Sequence, residues 1–328
     1  MARVTVFTLG GTISARGGDA ARMSGQEVLA ELGGDHDVVL NDFRRVPSST
    51  LTHADLAALA AEVRATVAAG SGVVVVQGTD TLEETAFLLD LLCTTEQPIV
   101  VTGAMRRPDL PGADGPANLA AALAVAGHPA CRNLGVLVVL ADEIHAARLA
   151  RKTHTTSVAT FASPGAGPLG TVVEGEPRIL LRPAVQAAFC PLRLDPDVRV
   201  ALITLSLGDR GELLDAVDHR FQGLVVAAFG AGHAPARLVE PLAEIARRIP
   251  VVLASRTGSG PTLSDTYRGP GSEYDLLHHG LIPAGPLDPA KARILLHTLL
   301  SSGAAGPAGY DRPRITAAFA HLNGSGLA

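Results

Sequence analysis

Two apolar, β-branched runs, each stopping at a glycine-bearing turn, constrain this chain more than any other feature. Val4-Thr5-Val6-Phe7 leads into Thr8-Leu9-Gly10-Gly11-Thr12-Ile13-Ser14, and Val73-Val74-Val75-Val76 leads into Gln77-Gly78-Thr79-Asp80-Thr81-Leu82-Glu83-Glu84. A short, uninterrupted run of this kind reads as a strand covered on both faces, as in a parallel sheet. Ligands of open α/β sheets bind outside the carboxyl ends of the strands. The two turns therefore bring two threonine hydroxyls, a carboxylate and backbone N–H groups to one crevice, a set suited to acyl chemistry.

Further strands are expected at 98–103 and 135–141, then at 198–205, 223–229 and 250–254. Helices fit between them. Ser24 with Glu27, and Thr52 with Asp55, have capping-box spacing, and the second of these helices runs to Gly70. Asp288-Pro289 starts the last long helix with a cap and a proline at its first position, and Gly303 closes it. The alternation predicts an α/β protein whose helices cover both faces of its sheets. Pro183, Pro191 and Pro196 mark a linker over 183–197. It separates a larger N-terminal domain with a parallel or mixed sheet, 1–182, from a smaller C-terminal domain with a parallel sheet, 198–328.

Composition removes several function classes. The chain has 328 residues, 47% hydrophobic and 18% charged, so it can fill two cores and is not a disordered segment. Its net charge of −5 is spread without basic blocks, which argues against nucleic acid and anionic membranes as partners. No apolar stretch approaches the roughly 18 residues of a membrane span. The first strand begins near Arg3, leaving no room for a secretory signal, and Cys93, Cys131 and Cys190 form no CxxC. A cytoplasmic location is the expectation. The eleven histidines show no HExxH or paired-ligand spacing, and Gly258-Ser259-Gly260 is a turn rather than a nucleophile elbow. Neither a metal nor a cofactor is expected.

Each candidate group has two readings at this level. Thr12 is either a nucleophile, if a base takes its proton, or the cap of a tight turn. Asp80 is either an N-cap or a functional carboxylate at a helix start whose N–H groups suit an oxyanion. Lys152, in Arg151-Lys152-Thr153-His154-Thr155-Thr156, is either a solvated loop lysine or a proton carrier beside Thr79 and Asp80.

Together the segments resemble the bacterial-type L-asparaginase (asparaginase/glutaminase) family. TLGGTIS at 8–14 and QGTDTLEETAF at 77–87 are similar to its two signatures. Thr102-Gly103-Ala104-Met105-Arg106 with Ala113-Asp114-Gly115-Pro116 and Asn118-Leu119, then Arg151-Lys152-Thr153 before Val158-Ala159-Thr160-Phe161, follow in the family's order. Ser255-Arg256 with Gly258, and Leu287-Asp288-Pro289-Ala290-Lys291-Ala292-Arg293, extend the likeness to nearly the whole chain.

The resemblance implies hydrolysis of L-asparagine to L-aspartate and ammonia, with weaker action on L-glutamine. It makes Thr12 the nucleophile, and Thr79, Asp80 and Lys152 the second catalytic group. Asp80 would also hold the substrate ammonium and Ser48 its carboxylate, while the Ala104 carbonyl would face the leaving nitrogen. Glu273 would contact the ammonium from a neighbouring subunit of a homo-oligomer, a dimer or tetramer. The alternatives are an amidase for another carboxamide and a catalytically silent amino-acid-binding module. Two positions depart from the family's usual pattern. The segment 15–24 has no tyrosine near the nucleophile, which leaves Tyr267 and Tyr274 as candidate substitutes, and His233 stands where an asparagine is frequent. Gly17-Gly18 marks segment 15–24 as a lid.

Overall fold

The computed structural model describes residues 3–17, 21–32, 38–183, 193–306 and 309–322. The chain divides into two units, Met1–Val185 and Gln186–Ala328. Cys190 and most of the expected linker, 184–192, lie outside the described residues, as do Gly18, Asp19 and Ala20 of the expected lid.

The N-terminal unit opens with β1 (Val4–Thr8), the two-residue strands β2 (Ala15–Arg16) and β3 (Ala21–Arg22), α1 (Gly25–Ala30) and β4 (Val38–Asp42). It continues with α2 (His53–Ala68), β5 (Gly72–Val76), α3 (Leu82–Leu92), β6 (Ile99–Thr102), α4 (Gly115–Gly127) and β7 (Val136–Leu140). Short strands complete it: β8 (Glu143–Ala146), β9 (Arg151–Lys152), β10 (Phe161–Ala162), β11 (Gly170–Val173) and β12 (Glu176–Ile179). The main sheet has eight strands in the order β12-β11-β8-β7-β6-β5-β1-β4. Strands β4, β1, β5, β6 and β7 are parallel, whereas β8, β11 and β12 join antiparallel, so the sheet is mixed.

The β-branched runs fill the centre because every residue of β1, β5, β6 and β7 is buried. Register then fixes where the chemistry lies. Thr8 stands opposite Val76, and Val76 opposite Thr102, so β1, β5 and β6 end side by side. The turns that follow them leave the sheet at one edge.

The predicted helix starts are present. Ser24 and Glu27 form a reciprocal capping box on α1, as Thr52 and Asp55 do on α2, which stops two residues before Gly70. Helix α3 differs at its start: Thr79–Thr81 is a 3₁₀ turn and the α-helix begins at Leu82.

The C-terminal unit has a four-stranded parallel sheet, β13 (Val200–Thr204), β14 (Gly223–Ala228), β15 (Val251–Ser255) and β16 (Ile282–Pro283), in that order. Its helices are α5 (Val239–Ala246), α6 (Glu273–His278), α7 (Pro289–Leu299) and α8 (Arg312–Leu322), with a short hairpin of β17 (Ala305–Gly306) and β18 (Gly309–Tyr310). Leu224, Val226, Leu242, Leu253 and Leu276 lie in its core. Asp288 caps α7 by accepting the N–H groups of Ala290 and Lys291. A wide turn over Leu300–Ala304 ends this helix, with Gly303 at φ 84°.

Candidate active site

The two glycine turns interlock. Leu9 N–H donates to the Val76 carbonyl at 2.8 Å, which continues the β1–β5 pairing past the strand ends. Gly11 has φ 92°, and a Cβ placed on it would stand 2.2 Å from the Cα of Gly78. Only a residue without a side chain allows that approach. Thr12 begins a single 3₁₀ turn whose cap position is Gly11, with no side-chain capping bond, so the cap reading of Thr12 does not hold. Arg22 Nη1 donates to the Gly11 carbonyl at 3.1 Å and steadies the same turn from β3.

The second group forms a close triad. Lys152 Nζ donates to Thr79 Oγ1 at 2.9 Å and to Asp80 Oδ1 at 2.8 Å. Lys152 is not in a solvated loop: it lies on β9, opposite Phe161 of β10, with its side chain 20% exposed. Asp80 is not a helix cap either, since the turn Thr79–Thr81 has no side-chain cap and the carboxylate pairs with the ammonium instead. The Thr79 hydroxyl is buried and accepts from a cation, so negative charge developing on its oxygen is stabilised.

Ser48 heads a 3₁₀ turn over Ser48–Thr50, and Thr81 Oγ1 donates to its carbonyl at 3.1 Å. A Cβ on Gly78 would stand 2.8 Å from Ser48 Oγ, so this hydroxyl lies directly against the second turn. It is buried and has no hydrogen-bond partner among the described residues. A buried orphan hydroxyl beside a crevice is a donor available to a ligand.

Ala104 is buried in the turn after β6, and a Cβ on Gly103 would stand 2.4 Å from the Gln77 carbonyl. The Asp114 carboxylate accepts the N–H groups of Met105 and Arg106, at 3.0 Å and 2.8 Å, and so holds this turn. Asn118 Nδ2 donates to the Gly103 carbonyl at 2.9 Å, and its Oδ1 accepts from Ala141 N–H at 2.9 Å. Sequence reasoning gave Asp114 and Asn118 no role. Asp114 occupies the N-cap position of α4, but its carboxylate turns back onto the preceding loop.

Thr12, Ser48, Thr79, Asp80, Ala104 and Lys152 thus belong to one set of abutting segments in the N-terminal unit. Glu273 is in the C-terminal unit, at the start of α6 after the cap residue Ser272. Its side chain is wholly buried, with Oε1 accepting the N–H groups of Thr266 at 3.0 Å and Tyr267 at 2.8 Å. His233 Nε2 stands 3.0 Å from Oε2. Burial alone would push this carboxyl up, but the backbone N–H bonds and the His233 bond together hold it below the usual carboxylate range. The His233 ring is itself met edge-on by Tyr267, with centroids 4.8 Å apart.

Residues 3–185 match the family model for the asparaginase N-terminal domain, and residues 199–308 match that for the glutaminase/asparaginase C-terminal domain. The chain belongs to the asparaginase family. It is 36% identical to a probable L-asparaginase of Deinococcus radiodurans over 92% of this chain and 94% of the relative. It is 32% identical to L-asparaginase 2 of Escherichia coli over 91% and 88% of the two chains. A glutaminase-asparaginase of Pseudomonas fluorescens is 30% identical over 92% and 87%. The asparaginase-family likeness therefore spans both units and includes both glycine turns and the Lys152 segment. Among the described residues, no group of three or more His, Cys, Asp or Glu side chains is arranged to hold a metal ion, and no helix is long and apolar enough to cross a membrane.

Proposed function

We propose that the chain hydrolyses the side-chain amide of L-asparagine to L-aspartate and ammonia, with L-glutamine as a weaker substrate, through an acyl-enzyme on Thr12. The observation that carries this reading is the Lys152 ammonium bonded to both Thr79 and Asp80 beside the Thr12 turn. Thr12 Oγ1 attacks the amide carbon and forms the C–O bond, giving up its proton to the relay through Thr79 and Lys152. Backbone N–H groups of the turns meet the oxyanion. The C–N bond then breaks, and ammonia leaves with a proton delivered through the Thr79–Lys152 pair. Water then attacks the ester carbon, the bond from that carbon to Thr12 Oγ1 breaks, and a proton from the water returns to Oγ1 to restore the hydroxyl and release aspartate.

Substrate recognition follows from charge. Asp80, 68% exposed on its side chain, has room for a second cation beside Lys152 and takes the substrate ammonium. Ser48, with its orphan hydroxyl, takes the substrate carboxylate, and the Ala104 carbonyl faces the departing nitrogen. Ammonia release measured over a panel of amides tests the reading. Turnover of L-asparagine above that of L-glutamine and of amides lacking the α-amino acid group supports it. Preference for a simple carboxamide, or binding of aspartate without any turnover, contradicts it.

The fuller assignment is a cytoplasmic homotetramer in which Glu273 meets the ammonium bound by a neighbouring subunit. Buried free thiols at Cys93 and Cys131 suit a reducing compartment. The ionised state of Glu273 suits an ammonium contact. Its carboxylate is covered within its own chain, so His233, with its side chain 36% exposed, borders the approach to it. Specific activity falling on dilution, in step with dissociation seen by sedimentation, is the expected result. A fully active monomer contradicts the shared site.

A further inference from the structure

The position of Lys152 rests on very little secondary structure. Strand β9 has two residues, and its pairing with β10 is antiparallel. In such a pair the N–H groups alternate between facing the partner strand and facing away from it. Thr153 N–H faces β10 and donates to the Thr160 carbonyl at 2.8 Å. Lys152 N–H points the other way. An outward N–H on a short edge strand needs a partner of its own.

That partner is Glu83, whose Oε2 accepts the Lys152 N–H across 69 residues of sequence. Glu83 lies in the first turn of α3, directly after the Thr79–Thr81 turn whose Thr79 and Asp80 receive the Lys152 ammonium. One short stretch of chain therefore holds both ends of the lysine, the main chain through Glu83 and the Nζ through Thr79 and Asp80. Asp90 extends the grip two helical turns further along the same face of α3. Its Oδ2 accepts from Arg148 Nη2 at 2.8 Å and its Oδ1 from Val136 N–H at 2.9 Å. The carboxylates of α3 thus seat the segment 148–152 against the helix that carries its partners.

We propose that Glu83 is a positioning residue of the proton relay: by accepting the Lys152 N–H it sets where the ammonium stands relative to Thr79 and Asp80. Glu83 bonds the main chain of the lysine and acts through it. The inference rests on the reading of Lys152 as a proton carrier. A misplacement of about 1 Å in such a group can cost on the order of a hundredfold in rate.

The test compares L-asparagine kinetics of Glu83→Ala, Glu83→Gln and Lys152→Met in the full chain, with hydrogen exchange at the Lys152 amide. Glu83→Ala is expected to lower kcat by about ten- to a hundredfold while KM moves by less than about threefold. Glu83→Gln keeps a carbonyl acceptor and is expected to recover kcat to within about threefold of the parent. The Lys152 amide is expected to be protected in the parent and in Glu83→Gln, and to exchange faster in Glu83→Ala. Parent-like kcat in Glu83→Ala, or equal losses in Glu83→Ala and Glu83→Gln, overturns the proposal. If Glu83→Ala does not fold, the amide decides: unprotected exchange in the parent overturns the anchor, and protection kept in Glu83→Gln sustains it. Parent-like turnover in Lys152→Met overturns the relay reading instead, whatever the amide shows.

Discussion

Gly11 and Gly78 meet backbone to backbone, so closely that a Cβ on Gly11 would stand 2.2 Å from the Gly78 Cα. This contact joins the turn bearing Thr12 to the turn bearing Thr79. It also explains why the first signature needs glycine at 11, while a Cβ on Gly78 would crowd Ser48 Oγ at 2.8 Å. Gly11→Ala adds a side chain at φ 92° as well as into the contact. A strained positive φ costs on the order of 1–3 kcal/mol before the clash is counted. Gly11→Ala is expected to lower stability in urea unfolding by at least that much and to lose activity in whatever fraction stays folded. Parent-like stability and turnover would show that the turns need not touch.

Lys152 and Asp80 form one ion pair but are assigned different duties. Lys152→Met removes the proposed proton carrier and leaves the carboxylate proposed to hold the substrate ammonium. It is expected to cut turnover far more than it weakens aspartate binding, measured by calorimetry. Asp80→Asn is expected to damage both, because the neutral amide also loses the ammonium partner. Equal and mild effects from the two changes would return Lys152 to the role of a surface cation.

His145 gives the fold a dependence on acid. It is buried on β8, with Nδ1 3.0 Å from Ser163 Oγ and Nε2 3.1 Å from Glu143 Oε2. Burial pushes the imidazole below the ordinary histidine range, and the attraction of Glu143 offsets only part of this. The folded state therefore binds fewer protons than the unfolded chain once pH falls below the ordinary value of about 6.5. Stability is unaffected by this group above that pH, is lost as pH drops towards the folded value, and levels off beneath it. The slope for one proton cannot exceed about 1.4 kcal/mol per pH unit. Unfolding midpoints from pH 7.5 to 5 are expected to fall less steeply in His145→Gln than in the parent. Identical slopes would mean that His145 titrates normally in the fold.

The parallel centre of the N-terminal sheet was legible because four-residue β-branched runs such as Val73–Val76 leave few alternatives. Helix starts were legible at Ser24, Thr52 and Asp288 because capping depends on neighbours in sequence. Strands β4, β8, β11 and β12 were not anticipated. Segments such as Glu143–Ala146 and Glu176–Ile179 are short and mixed in polarity, and they become strands only by pairing antiparallel beyond β7. The same distinction separates the site residues. Thr12, Thr79 and Asp80 announce themselves as polar groups in glycine turns. The duties of Glu83, Asp114 and Asn118 are partnerships with distant or looped backbone, and local spacing carries no trace of them. Lys152 reads more readily as a solvated loop cation from its polar surroundings, whereas its pairing opposite Phe161 places it on a strand.

Thr12 and Thr79 are proposed to act as two parts of one hydrolytic unit. The most direct measurement is ammonia release from saturating L-asparagine by purified Thr12→Ala and Thr79→Ala, each checked for parent-like circular dichroism. Both are expected to lose nearly all turnover, by as much as about 10⁶ where a nucleophile works within a catalytic unit. Near-parent turnover by either folded variant contradicts the assignment of that threonine, and by both it contradicts the mechanism.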